Sequence, residues 1–323
     1  MNIYVDTEKW QMHAWRNRTQ SVILLLLMFG YAGFLGYLLW GSAGFILTVM
    51  VSIFALTISP NLPPTLLMNM YKAIVITPNQ APGLHHRLEI LSHRAGLPKK
   101  PELYYFPSSA LNAFAVGAKD HSAIAISDGL LNTLDSEELT SVLAHEISHI
   151  RSDDTWVMGV ADLFSRITSL LSLVGQLLVL INIPLIIYTN LSINWIAIVL
   201  LIIAPSISAL TQLALSRTRE FDADLNAARL TGNPESLARA LAKIENRHGG
   251  WFEHIFLPGR RTPEPSILRT HPATEERVRR LLSLKPKDMP QKYRTLPPLS
   301  SDYTFLNPRV NSRPRWRVNG LWY

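Results

Sequence analysis

Positions 145–149 read His-Glu-Ile-Ser-His. On a helix, His145 and His149 lie one turn apart and project from one face. Two imidazoles so placed can ligate one zinc ion, and Glu146 beside them can take the proton of a water that the metal polarises. A catalytic zinc needs three protein ligands and an open position. The chain has no cysteine, so the third ligand must be His, Asp or Glu. The strongest candidates are Glu220 and Asp224, four residues apart on one helical face. One carboxylate can bind metal while the other accepts a hydrogen bond from a ligating imidazole and fixes its tautomer. Without the histidine pair, Arg219, Glu220 and Asp224 would read as a solvent-facing ion-paired helix.

Such groups need rigid supports. Asp135 and Glu138 have capping-box spacing, and Leu139, Val142, Leu143 and Ile147 form an apolar stripe, predicting a helix over about 136–152. A second helix is expected from Leu213 to Leu230, carrying Glu220. Ahead of the histidines, Glu102–Phe106, Asn112–Gly117 and Ser122–Ser127 are short runs of β-branched or aromatic character, which predict a small antiparallel sheet. Gly83–Gly96 reads as an amphipathic helix, and further helices are expected at about 234–248 and from Pro272 to Leu284. Residues 246–270, rich in Gly, Pro and Arg, read as a loop. Residues 286–323 read as a basic tail with many prolines and aromatics. Arg217 and Arg219 are expected to anchor the Glu220 helix by ion pairs.

Two long stretches are free of charge, Ser21–Pro60 and Ile167–Ser216. A membrane helix needs about 20 apolar residues, so each can hold a helical hairpin. The first would turn near Trp40–Gly44 and the second near Asn182–Asn194. The expected fold is a mainly α membrane protein: two transmembrane hairpins and an α+β peptidase-type domain with a small sheet. The domain reading is a polar segment 1–20, a hairpin 21–60, a metal-site domain 61–285 interrupted by the hairpin 167–216, and the tail 286–323. Lys9, Arg16 and Arg18 precede the first stretch and neither turn carries Lys or Arg, which puts both termini and residues 61–166 on the cytoplasmic side. That distribution accounts for the formal charge of +7 without nucleic acid. No cleavable signal is evident.

Val142-Leu-Ala-His-Glu-Ile-Ser-His-Ile150 and Ser216-Arg-Thr-Arg-Glu-Phe-Asp-Ala-Asp224 together resemble the HtpX family of membrane-embedded zinc metallopeptidases, relatives of the CAAX prenyl proteases. Asn112-Ala-Phe-Ala-Val-Gly117 is similar to a strand motif of that family, and Ser127-Asp-Gly-Leu-Leu131 to the turn after it. His271-Pro-Ala-Thr-Glu-Glu-Arg277 resembles an element near the end of its peptidase domain. The resemblance spans roughly residues 20–285. It implies a zincin-like domain holding one Zn²⁺ per chain on His145, His149 and Glu220, with Glu146 as general base and Asp224 behind the ligands. It also implies His271 and Arg277 as partners of the developing oxyanion, and Asn112, Ala113 and Phe114 as the edge that pairs with extended substrate. The implied activity is endopeptidase action on membrane or unfolded proteins at the inner membrane, in quality control. Alternatives are a zinc-stabilised scaffold without catalysis and a prenyl-protein protease. The resemblance disfavours the latter, which encloses a chamber with more spans. The sequence leaves the oligomeric state open.

Overall fold

The computed structural model describes residues 6–58, 64–188, 194–247 and 274–284. In chain order the elements are α1 (Thr7–Ile58), α2 (Pro64–Met70), β1 (Ile74–Val75), α3 (Pro82–Ala95), β2 (Glu102–Phe106), β3 (Ala113–Ala118), β4 (His121–Ser127), α4 (Asp128–Thr133), α5 (Ser136–Arg151), α6 (Asp154–Tyr188), α7 (Trp195–Thr231), α8 (Pro234–Arg247) and α9 (Thr274–Ser283). Two compact units share the chain. One comprises Met1–Asn17, Asn61–Thr155 and Arg219–Tyr323; the other comprises Arg18–Pro60 and Trp156–Thr218.

The second unit is helical, and α1, α6 and α7 are each long and apolar enough to cross a membrane. Trp40 and Gly41 leave helical backbone geometry, Gly41 at φ +63°, and the chain reverses there. A Cβ added at Gly36 would meet the carbonyl oxygen of Gly44 at 2.6 Å, and one at Gly33 the ring of Phe45 at 3.0 Å. Residues 33 and 45 of a straight helix would stand about 18 Å apart. The turn expected near Trp40–Gly44 is therefore present, and small residues let its arms touch. Helices α6 and α7 pair antiparallel: Ser165 Oγ meets Ser208 Oγ at 3.0 Å, and Ser172 Oγ donates to Leu201 O at 2.6 Å. Buried hydroxyls thus find partners within the bundle, as an apolar surrounding requires.

The first unit packs α3, α5, α8 and α9 with the sheet. Leu139, Leu143, Ile147 and Ile150 of α5 join Leu84, Leu88 and Leu91 of α3 and Ile124 and Ile126 of β4 in one buried core. All three expected strands form, but the sheet is mixed rather than antiparallel, in the order β1-β2-β4-β3. The hairpin β3–β4 is antiparallel, while β4 inserts beside β2 and runs parallel to it, pairing Leu103 with Ile124 and Tyr105 with Ile126. Reinsertion of the second hairpin strand against an earlier one is a non-local event that strand periodicity cannot show. Strand β1 and helix α2 went unforeseen, being too short to carry a periodic pattern. The segment expected as a turn at Ser127–Leu131 is the short helix α4, whose first turn Ser127 caps by accepting from Leu130 N.

The polar N-terminal segment is helical from Thr7 and docks on the first unit. Trp10 Nε1 donates to Leu225 O at 3.2 Å, and the Arg229 guanidinium lies 4.4 Å from the Trp10 ring centre. The expected loop 246–270 beyond Arg247, the tail 286–323 and His271 lie outside the described residues.

Candidate metal centre and active site

Helix α5 begins as its sequence dictates. Asp135 Oδ1 accepts from Glu137 N and Glu138 N, both at 2.9 Å, and Glu138 Oε2 accepts from Asp135 N at 2.9 Å. This reciprocal cap satisfies otherwise orphan donors and fixes the helix start. Below it, Arg87 of α3 donates to Thr140 Oγ1 at 2.5 Å and to Ser136 Oγ at 3.0 Å, locking α5 to α3. Two turns further on, His145 and His149 leave the core side of α5 together.

Their rings stand nearly perpendicular, at 89°, with Nε2 atoms 3.1 Å apart. Glu220 of α7 completes a triangle: Oε2 lies 3.4 Å from His145 Nε2, and Oε1 lies 3.6 Å from His149 Nε2. These three residues form the one group of clustered His and carboxylate side chains suited to a metal ion among the described residues. Ligands on a tetrahedral ion with bonds of 2.0–2.1 Å stand about 3.3 Å apart, so the triangle has the right size. Its chemistry fits too. Asp224 and Asp154 face the Nδ1 atoms of His145 and His149 at 3.1 and 2.7 Å. A proton on each Nδ1 leaves lone pairs on both Nε2 atoms, and these repel one another unless a cation lies between them. Burial pushes the pKa of His145 down, but Asp224 and Glu220 outweigh it and raise it to about 10. His149 is likewise raised, Asp154 overcoming burial. The carboxylates draw positive charge into this cavity.

The carboxylates are themselves held. Arg277 of α9, 4% exposed, donates from Nε to Asp224 Oδ2 and from a terminal nitrogen to Asp224 Oδ1, both at 2.7 Å. The same terminal nitrogen lies 3.4 Å from Glu220 Oε2. Burial alone would raise the pKa of Asp224, yet the Arg277 charge and hydrogen bonds hold it below the usual carboxylate value, so it stays ionised. Arg219 of α7 donates from Nε to Asp154 Oδ1 at 2.5 Å. Glu146 sits next to His145 on α5, 8% exposed, and its charge reaches Arg277.

The structure thus brings His145, Glu146, His149, Glu220, Asp224 and Arg277 together. Arg277, expected beside the oxyanion, gives two donors to Asp224, the carboxylate that faces His145. Asp154 went unforeseen. It follows Asp153, whose positive φ of 52° turns the chain sharply after α5 and swings Asp154 back onto His149. An acid just past the last turn of a ligand helix was the signal available. Arg219 is an ion-pair anchor as expected, with Asp154 as its partner, whereas Arg217 is exposed. Asn112 and Ala113 lead into β3, an outer strand of the sheet. Asn112 exchanges hydrogen bonds with Ser127: its N–H donates to Ser127 Oγ at 3.0 Å and its carbonyl accepts from Ser127 N at 2.9 Å. The Phe114 side chain is buried against Tyr71 and Phe106, with ring centres at 4.8 and 5.6 Å, so this strand offers backbone and not that ring.

The profile of Peptidase family M48 matches residues 78–285, which covers both α5 and the Glu220 segment of α7. The chain belongs to that family of peptidases. Among its relatives, the Protease HtpX homolog of Acaryochloris marina is 39% identical over 233 residues, 68% of this chain and 77% of that protein. The Protease HtpX homolog of Pyrococcus furiosus is 33% identical over 283 residues, 80% of this chain and 93% of that protein. Among solved structures, S. mikatae Ste24p is similar at a TM-score of 0.46 and 22% identity, covering 85% of this chain and 65% of that one.

Proposed function

We propose that this chain is a membrane-bound, zinc-dependent endopeptidase that removes damaged or misassembled membrane proteins. The observation that carries the reading is the convergence of His145 Nε2, His149 Nε2 and the Glu220 carboxylate at 3.1–3.6 Å, with Glu146 alongside. A Zn²⁺ ion held there supplies Lewis acidity and brings a water pKa down to about 7. Glu146 takes the proton from the attacking water and hands it to the leaving amine, in the manner of a general base turned general acid. Asp224 and Asp154 hold the two imidazoles in the Nδ1–H tautomer, so that both Nε2 atoms point into the site. Arg277 keeps Asp224 ionised. The outer edge of β3 pairs with an extended substrate segment and sets the scissile carbonyl by backbone hydrogen bonds. His271 is assigned to the developing oxyanion together with the field of Arg277. The peptidase unit and both termini face the cytoplasm, in keeping with the lysines and arginines that flank the apolar stretches.

The test is cleavage of a model membrane protein by detergent-purified protein, wild type against Glu146→Gln, each carrying one zinc per chain. Glu146→Gln keeps the metal and loses cleavage, by roughly 10²-fold or more if it is the proton carrier. Equal cleavage by the two would overturn the reading. Zinc content near zero in the wild type would remove its metal.

A further inference from the structure

Large apolar side chains on the surface of the first unit are unevenly placed. Apart from Met12 and Trp15 on α1 and Leu282 on α9, the exposed ones among its described residues are Leu66, Met70, Ile74 and Val75, at 50, 46, 63 and 48% exposure. All four fall within ten residues of chain, on α2 and β1. Leu66 and Met70 are four apart on α2 and share a face, while Met68 turns inward onto Tyr104, Phe106 and Phe114. Strand β1 lies at the opposite edge of the sheet from β3 and buries neither of its residues. A soluble surface scatters such side chains; a cluster marks something that covers it.

Chain continuity says what. Helix α1 ends at Ile58, and its last arm exposes Ile46, Leu47, Met50, Val51, Ile53 and Phe54, the face of a helix made for lipid. Six peptide steps lead from Ile58 to Pro64, which can span at most about 20 Å. The exposed apolar series therefore resumes within reach of the same bilayer. Lys72, exposed, lies between Met70 and Ile74 in sequence, at φ +52°. Apolar side chains with a Lys among them are the composition of an element that lies on a membrane surface. We propose that the face of α2 and β1 rests on the bilayer, with Leu66, Met70 and Val75, whose strand partner Tyr104 lies on the α2 side of the sheet, at the boundary of headgroups and acyl chains and Lys72 at the phosphates. The Pro64 ring at the start of α2 comes within 2.9 Å of where a Gly117 Cβ would stand at the end of β3. If β3 receives substrate, as in the functional reading above, a segment drawn from the lipid beside α2 meets that strand at once.

The chain has no cysteine, so single cysteines at 66, 70 and 75 can carry an environment-sensitive fluorophore in the full-length protein. The labelled proteins go into phosphatidylcholine–phosphatidylglycerol vesicles, with Glu89 and Glu245, both exposed, as control positions. Labels at 66, 70 and 75 emit blue-shifted, and nitroxide phospholipids quench them about twofold or more, as expected for shallow insertion. The controls are quenched by aqueous iodide instead. Iodide quenching at 66, 70 and 75 equal to that at Glu89 would overturn the proposal. So would shielding from both quenchers, which means that protein covers the patch. Neither readout depends on peptidase activity, so a failure here leaves the metal-centre assignment untouched.

Discussion

Each imidazole of the candidate metal site faces its own carboxylate, and each carboxylate its own arginine: His145–Asp224–Arg277 and His149–Asp154–Arg219. The repetition is physical necessity. An imidazole that must keep its Nε2 lone pair for a metal needs its Nδ1 proton pinned, and a buried carboxylate needs a cation to stay charged. Removing a ligand should differ from removing a support. His145→Ala, His149→Ala and Glu220→Ala should each abolish stoichiometric zinc, read by metal analysis after desalting. Asp154→Asn and Asp224→Asn should keep the site but weaken zinc about 10–100-fold in chelator competition. Full affinity in Asp154→Asn would show that the contact with His149 is incidental. The first chain of three was partly legible in the sequence, because Glu220 and Asp224 share a helical face with fixed spacing. The second was not, since its contact depends on a turn at Asp153 that no spacing rule encodes.

Among the elements, the start of α5 and the stop of α3 were legible and strand partners were not. The start of α5 is written in Asp135 and Glu138, groups three residues apart that bond each other. The stop of α3 is written in Gly96, which takes φ +71° as its C-cap. Pairing of β2 with β4 is decided by packing across the sheet, at a distance in sequence where pattern is silent. The β3–β4 hairpin nonetheless has one demanding position. Gly117 adopts φ +97°, and a Cβ there would come within 2.1 Å of His121 O. Gly117→Ala should destabilise the first unit by about 1–3 kcal/mol, the usual cost of forcing a side chain into that backbone region. Because β3 is the proposed substrate edge, KM for an extended peptide should rise more than zinc affinity falls. Unchanged KM with lowered stability would detach β3 from substrate binding.

For the molecule as a whole, the two units impose a rule on topology. The chain leaves the first unit after Asn17 and returns at Asn61, and leaves again after Thr155 and returns at Arg219. His149 and Glu220 lie on either side of the second excursion, yet their ligand atoms are 3.6 Å apart. Trp10 and Leu225 enclose both excursions and share a hydrogen bond. Any membrane crossing between such pairs must therefore come in even numbers. The uncharged stretches and the turn at Trp40–Gly41 could be read from sequence; the even count follows only once the ligands are seen to meet. The proposed direction rests on flanking charge, since Lys9, Arg16, Arg18, Arg166 and Arg217 stand at the ends of the excursions and none in the middle. Single cysteines at Asn190 and at Glu245, probed with an impermeant thiol reagent, decide the matter. Asn190→Cys should label in intact cells, and Glu245→Cys only after lysis. Labelling of Glu245→Cys in intact cells would invert the orientation. Labelling of Asn190→Cys only after lysis, or not at all, would mean that the second excursion dips into the bilayer and returns without crossing it.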